Sequence, residues 1–263
     1  MNENYKKFIE DNFKIVNKQG QLAPLMLNEI QNNYLLFDYT GTDDILKARQ
    51  EGLSTIIDAI FTVDFLLKEN SYSVIIADIE ENATGLLDRV KIFLESYESR
   101  NKIKIPLKYN SRFELRNEFM NSTFKLGTAK NIEFGRSKTI HNLHLSEFAF
   151  YNNINNIMAG AMQAVVEGGR KIVETTANGF NDYKIFRESD NGFKKIFFNA
   201  DRFYSPEFLD KKRKELKERF VQEYPANEME AFITSGQCFF SKDSLSEYLA
   251  NTRNPIKSQF NVA

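Results

Sequence analysis

The run Ile45–Thr55, reading Ile-Leu-Lys-Ala-Arg-Gln-Glu-Gly-Leu-Ser-Thr, constrains this chain more than any other stretch. A short apolar segment enters a polar loop with one glycine. The loop opens into Ile56-Ile57-Asp58-Ala59-Ile60-Phe61, which reads as a buried helix. Strand, loop and helix in that order are the setting of a phosphate-binding loop. In such a loop, backbone N–H groups and the helix N-terminus point at an anion, and a hydroxyl can reach a divalent cation. Against the pattern G-x-x-x-x-G-K-[ST], Gly52 takes the second glycine and Ser54 the hydroxyl position. Lys47 falls on the first glycine and Leu53 on the lysine. That lysine normally neutralises the β- and γ-phosphates, so Lys47 or Arg49 would have to supply the charge. On pattern alone the stretch is either a phosphate cradle or a plain turn.

The flanking sequence favours an α/β fold. Val74-Ile75-Ile76-Ala77 is a continuous apolar run of the kind buried in parallel sheets, and Asn82–Tyr97 carries Leu86, Leu87, Val90, Phe93 and Leu94 at helical spacing. Strand, helix, strand, helix predicts βαβ units. Tyr5–Val16 reads as a short helix and an extended piece, and Glu29–Leu36 as a helix capped by Asn28. Gly41-Thr42-Asp43-Asp44 reads as a turn, and Ile105–Leu126 as two or three short strands. Thr139–Glu147 and Lys171–Thr176 read as strands, and Ile157–Glu167 as a helix stopped by Gly168-Gly169. From about Phe193 the texture changes to aromatic segments and one charged helix, Glu207–Tyr224, which predicts a domain boundary near residue 195.

Composition excludes several classes. The 35 Lys+Arg balance the 36 Asp+Glu, so no global basic field marks a nucleic-acid binder, and contact with DNA would need a local patch. The single cysteine, Cys238, excludes an internal disulfide and a cysteine-based zinc site. No run approaches the roughly 20 apolar residues of a membrane span, and Met1–Gly20 does not look like a signal peptide. A cytoplasmic protein is expected.

Glu147 closes an apolar strand at the end where open α/β sheets hold ligands, so its carboxylate is either a water-activating base or a surface glutamate. His141 and His144, three apart on a strand, point to opposite faces and do not ligate one ion together. Arg136, between Gly135 and Ser137, is either a solvated loop residue or an arginine finger. Lys211-Lys212-Arg213-Lys214, surrounded by Glu207, Asp210, Glu215 and Glu218, is the wet face of a helix or a DNA contact.

Taken in order, these segments resemble the ATPase domain of the large terminase subunit of tailed bacteriophages, the motor that packages DNA into a prohead. Leu25-Met26-Leu27-Asn28-x-x-Gln31 looks like that family's adenine-contacting motif, and Lys47–Thr55 is similar to its deviant Walker A, with the basic residue early in the loop. Gly127-Thr128-Ala129 with Gly135-Arg136 resembles the segment before Walker B. Leu143-His144-Leu145-Ser146-Glu147 resembles Walker B, and Thr175-Thr176-Ala177-Asn178-Gly179 the coupling motif. Tyr224-Pro225-Ala226-Asn227-Glu228 and Ser235-Gly236 resemble the lid. In two departures, Ser146 stands where the family has an aspartate and Leu53 where a lysine is common.

The resemblance implies an additional-strand P-loop ATPase with a mainly parallel sheet flanked by helices (1–195) and a small lid (196–263). Gln31 would contact adenine. Lys47, Arg49, Gln50, Glu51, Gly52, Leu53, Ser54 and Thr55 would hold ATP, and Ser54 with Glu147 would hold Mg²⁺. Glu147 would activate water, Arg136 would act as the finger, and Asn178 would sense the γ-phosphate. The implied partners are double-stranded DNA, the portal protein, the small terminase subunit and further copies of the chain in a pentameric ring, with a monomer in isolation. The setting would be a bacterial host, the gene being phage- or prophage-encoded. The chain ends soon after the lid motif, as an excised domain or a truncated product, and no nuclease activity is expected of it. The alternatives are another P-loop translocase or helicase, and a non-hydrolysing docking module.

Overall fold

A computed structural model describes residues 2–130 and 138–233, together with 244, 247, 248 and 250–252. The chain starts with α1 (Asn2–Asn12), which turns Tyr5 and Ile9 inward, and a small antiparallel pair, β1 (Lys14–Val16) and β2 (Leu22–Pro24). The next helix, α2 (Glu29–Asn33), begins with a capping box. Asn28 Oδ1 accepts from the Gln31 N–H, and Gln31 Oε1 accepts from the Asn28 N–H. A single π-helical turn, Tyr34–Asp38, replaces the last turn expected of this helix.

The body is an eight-stranded sheet. It contains β3 (Thr42–Lys47), β4 (Tyr72–Ala77), β5 (Leu107–Asn110), β6 (Glu114–Asn117), β7 (Ser122–Thr128), β8 (Ile140–Ser146), β9 (Val165–Thr175) and β10 (Lys194–Phe198). The spatial order is β10-β3-β9-β8-β4-β7-β6-β5. Strands from β10 to β7 run parallel, and β6 and β5 close the edge antiparallel. This is the mainly parallel, additional-strand arrangement that the sequence implies, with β9 inserted between the loop-bearing β3 and β8.

Helices α3 (Leu53–Leu67) and α4 (Glu80–Asn101) cover one face with α1, and α5 (Ile154–Ala159) and α6 (Asp182–Glu188) lie on the other. Alternation along β3 shows the division, since Ile45 joins the first core and Leu46 the second. In α3 every residue except Ser54 and Leu67 is buried, as required of a helix packed between sheet and neighbouring helices. The chain continues through α7 (Pro206–Leu216), α8 (Phe220–Glu223) and α9 (Glu228–Ile233).

Three expectations are corrected, and residue 195 is placed relative to the sheet. Thr42-Asp43-Asp44 is not a turn but the start of β3. Both aspartates are fully buried because Tyr34 Oη donates to Asp43 at 3.0 Å and Tyr183 Oη to Asp44 at 2.8 Å. The helix expected over Ile157–Glu167 stops at Ala159, and β9 runs straight through Gly168-Gly169. Gly168 has φ +74° and the β8–β9 register shifts between Ile140 and Asn142, so the glycine pair serves an irregularity in a strand. The single helix Glu207–Tyr224 is broken at Lys217, whose φ is +50°. Finally, β10 straddles residue 195, so the sheet reaches Phe198.

Arg187 on α6 ties these pieces together. Its guanidinium lies 2.9 Å from Asp44 Oδ2, donates to Ile196 O at 3.0 Å and forks onto Glu228 at 2.6 and 3.1 Å. It is 2% exposed. Removing one partner of a buried charged pair leaves the other uncompensated, at a cost of about 3–5 kcal/mol. Arg187→Ala should lower unfolding stability by that order in urea titration, while Lys184→Ala on the same helix should lose well under half as much.

Candidate functional site

The ends of β3, β9 and β8 and the start of α3 meet beside an open cavity of about 520 Å³, lined among others by Arg49, Ser54, Ser146, Glu147, Thr176 and Glu223. The far wall comes from the β4–α4 side and includes Asp78, Asn82 and Arg89.

The loop between β3 and α3 is shaped by its backbone. Gln50 and Gly52 both have positive φ, +61° and +85°. A Cβ at Gly52 would meet Gln31 Nε2 at 2.7 Å, so glycine is required for contact as well as for conformation. Gly52 supplies no side-chain cap, and the first N–H groups of the 15-residue α3 carry the positive end of its dipole uncapped by any side chain. Asn28 Nδ2 donates to Glu51 O at 3.0 Å and Gln31 Nε2 to Gly52 O at 2.8 Å, so α2 braces the loop from behind. Gln31, expected at adenine, commits both ends of its amide to this brace and the capping box and is 4% exposed.

From the other side the loop is held by the C-terminal segment. Arg49 N–H donates to Glu223 O at 2.9 Å, Tyr204 Oη donates to Arg49 O at 2.5 Å, and the Arg49 guanidinium lies 3.3 Å from Glu223 Oε2. Arg49 is exposed and Lys47 buried, which separates the two candidates for the missing loop cation. Leu53, at the usual lysine position, is fully buried in the core. Thr55 is buried one residue beyond Ser54.

Lys47 Nζ sits 3.3 Å from Glu147 Oε1 and 3.1 Å from Glu174 Oε2. Burial lowers the ammonium's pKa, but the two carboxylates outweigh it and hold it above its usual range. Glu147, in a left-handed conformation at φ +55°, also accepts from the Thr176 N–H at 3.3 Å. Burial pushes its pKa up, and Lys47 opposes that. Glu174 behaves oppositely. Burial raises its pKa, but Lys47 and His144 hold it far below the usual carboxylate range. Its Oε1 accepts from Ser54 Oγ at 2.8 Å and from Ser146 Oγ at 2.6 Å. The neighbourhood therefore pushes two carboxylates in opposite directions, Glu174 toward the ionised form and Glu147 toward the more basic, as sites of acid–base chemistry do.

His144 is fully buried between Asp58 Oδ1 at 3.1 Å and Glu174 Oε1 at 3.4 Å. Burial lowers its pKa, but these carboxylates raise it to about 9, so it is an imidazolium. Arg89 pairs with Asp58 on the outer side at 3.0 Å. His141 turns away and accepts from the Tyr72 N–H, so the two histidines share no ligand position.

The structure gathers Lys47, Ser54 and Glu147 at one point and puts Arg49 at the cavity mouth. Asn178 is not in the cavity lining. Its Nδ2 donates to Ala149 O, beyond Glu147, and Thr176 is the coupling-motif residue that faces the cavity. Arg136 and the Ser235-Gly236 motif lie outside the described residues. Sequence reasoning missed Glu174 altogether. A signal was there, since a glutamate inside the apolar run of a central parallel strand must be paired to be tolerated. Among the described residues no cluster of three or more His, Cys, Asp or Glu could hold a metal ion alone. A cation here would need further oxygens, and the hydroxyls and carboxylates present are the hard donors Mg²⁺ takes alongside phosphate.

No family model matches the sequence and no curated protein is significantly similar to it. Solved structures do match. The large terminase ATPase domain of Thermus phage P74-26 superposes with a TM-score of 0.63 at 17% identity, over 76% of this chain and 93% of that one. The large terminase of bacteriophage HK97 matches with a TM-score of 0.60 at 18% identity, over 94% of this chain but 50% of that one. A large terminase of a thermophilic bacteriophage, solved in complex with ADP, matches at 0.56 and 13%, over 74% and 52%. The chain thus has the fold of these ATPase domains and spans about half the length of the whole terminases.

Glu51 tests the electrostatics of the loop. It is fully buried and neither carboxyl oxygen has a hydrogen-bond partner of good geometry. Burial raises its pKa from 4.5 to about 8, against the opposing pull of Lys47, the Ala48 N–H and Arg202. The folded state therefore holds a proton that the unfolded chain has released, and stability falls as pH rises between those values. Glu51→Gln should match wild type near pH 4 and exceed it increasingly up to about pH 8, by on the order of a few kcal/mol. Thermal melts across that range check it. A constant difference would contradict the burial of an unpaired carboxyl.

Proposed function

We propose that this chain binds and hydrolyses ATP as the ATPase unit of a viral DNA-packaging motor. The observation that carries the reading is the Lys47 ammonium, buried between Glu147 and Glu174 under a glycine loop that opens a helix, beside a cavity faced by Ser54. Those parts fit a triphosphate. The α3 N-terminus and loop amides would receive the phosphates, Lys47 would supply the ammonium that Leu53 lacks, and Arg49 would add a second cation at the mouth. Ser54 and Glu147 would hold Mg²⁺, which when bound neutralises phosphate charge.

Glu147 is the base. Its pKa is pushed up by burial, it faces the cavity, and its second oxygen is oriented by the Thr176 N–H. Arg136 completes the proposed set as the finger that steadies charge on the transferred group. Asn178 relays rather than touches phosphate, since it grips the turn following Glu147 through Ala149 O. Gln31 braces the loop from behind, and contact with adenine would require it to leave that brace. Thr55, Glu51 and Gln50 shape the loop around the phosphates. Residues from about 199 onward act as the lid, tied to the loop through Tyr204 and Glu223.

The fold's likeness to terminase ATPase domains supports DNA translocation as the work that hydrolysis drives, with the portal, the small subunit and sister copies in a ring as partners. Phosphate release measured with Mg²⁺, with and without duplex DNA, tests the reading. No turnover under any condition would favour the docking module, and strand separation would favour a helicase.

Two variants sharpen it. Glu147→Gln should lose about 10²–10⁴-fold in turnover while binding a fluorescent ATP analogue nearly as wild type does. Lys47→Met should weaken ATP more than AMP. Losing one charge-assisted contact costs about 1.5–3 kcal/mol, roughly ten- to a hundredfold in affinity. Arg49→Ala should lose less, because its guanidinium stands exposed and already pairs with Glu223. Titrating both with ATP and AMP decides which residue replaces the loop lysine. An Arg49→Ala loss larger than that of Lys47→Met would reverse the assignment.

A further inference from the structure

Glu174 is a fully buried carboxylate on the inserted strand β9, and neither the loop pattern nor the motor resemblance assigns it anything. We propose that Glu174 is the positioning residue for the divalent cation, doing from β9 what the serine at position 146 on β8 cannot do. The inference rests on the nucleotide reading above and deepens it.

Position comes first. Ser146 and Glu174 are register partners on neighbouring parallel strands, so the carboxylate missing from β8 is present one strand over. A side chain there must cross most of the roughly 4.8 Å between strands. Glutamate, with one more methylene than aspartate, does so. Its Oε1 accepts from both Ser146 Oγ and Ser54 Oγ.

The second argument concerns the direction of the Ser54 hydroxyl. Because Ser54 spends its proton on Glu174, its oxygen keeps lone pairs for the cavity it lines. A serine in a phosphate loop can serve a cation only in that orientation. Ser146 donates to the same oxygen and fixes it from the opposite side.

The third argument is charge. One ammonium, Lys47, serves two carboxylates, and Glu174 Oε2 is buried with no hydrogen bond of good geometry, facing only that ammonium at 3.1 Å. A triphosphate seated on the loop competes for Lys47 and adds its own negative charge. Glu147 then lacks a cation, and the fully buried Glu174 keeps only His144. A divalent cation carried in on the phosphates restores the balance, and Glu174, held by Ser146 and His144, fixes the Ser54 oxygen that the cation meets.

The test uses the full chain and a fluorescent ATP analogue, titrated with Mg²⁺ and again with EDTA, with Mn²⁺ binding followed by electron paramagnetic resonance. In wild type Mg²⁺ should tighten binding at least tenfold. Glu174→Gln should still bind the analogue in EDTA, and lose the Mg²⁺ enhancement and the nucleotide-dependent Mn²⁺ signal. Moving the carboxylate to β8 in Ser146→Asp/Glu174→Thr should restore at least part of both. Should Glu174→Gln melt below the assay temperature, the double variant, which keeps a carboxylate by Lys47, decides alone. A wild-type Mg²⁺ enhancement in Glu174→Gln, or a double variant that recovers nothing, overturns the proposal while leaving nucleotide binding intact. No binding by wild type with or without Mg²⁺ overturns the nucleotide reading, and this inference with it.

Discussion

A single buried ammonium holds the working end of this sheet together. Lys47 closes β3, Glu174 lies near the end of β9, and Glu147 follows β8, so one cation pins three strand ends that would otherwise repel. Burying such charges is expensive unless geometry and hydrogen bonds compensate. Here Ser54, Ser146 and the Thr176 N–H take up the remaining oxygens. With the strand ends fixed, the loop after β3 has a defined place to turn, and its shape follows from Gly52 and the brace of Gln31. The ammonium lies on the strand side of the loop because position 53 is apolar and belongs to the core.

Buried charge alone does not mark this site. At the opposite end of the sheet, Asp64 is met by Tyr5, Arg170, Asn142 and Lys68 beside a second cavity. Arg187 is satisfied by Asp44, Ile196 and Glu228 and serves as a strut. The Lys47 cluster differs in two respects. It stands beside an uncapped helix N-terminus, and its cation is shared between two carboxylates of opposite pKa tendency. Outward, the charges alternate through His144, Asp58 and Arg89, so the ionised state of Glu174 is supported from behind.

The sheet was legible because parallel strands and their helices carry simple patterns. Val74–Ala77 is apolar throughout, and Asn28 with Gln31 spells a capping box that the structure forms. The errors share one cause, which is tertiary pairing overriding local signals. Asp43-Asp44 reads as a turn until Tyr34, Tyr183 and Arg187 are in place around it. Gly168-Gly169 reads as a helix stop because the bulge that uses it depends on the register of β8. For the site, Lys47 and Arg49 were both visible as candidates, and only burial separates them. Glu174 was legible only as a buried glutamate that needs partners, because those partners lie 120 and 28 residues away and no linear motif names them.

The loop's two supports are unequal, and that inequality bears on how the site communicates. Behind it, Asn28 and Gln31 hold carbonyls of Glu51 and Gly52 with amides that α2 orients through its own capping box, so this side is rigid. In front, the Tyr204 hydroxyl on Arg49 O is backed by Ala48, Leu209, Phe220 and Tyr224 in a small core of its own. Between them the Arg49–Glu223 ion pair is the weak member, since Arg49 is 59% exposed on its side chain and such pairs contribute about 0–1 kcal/mol. An anion that draws Arg49 inward breaks that pair at small cost and leaves the Tyr204 bond and the small core intact. The C-terminal segment thus holds the loop chiefly through the Arg49 backbone, with the side-chain pair as a weaker second contact.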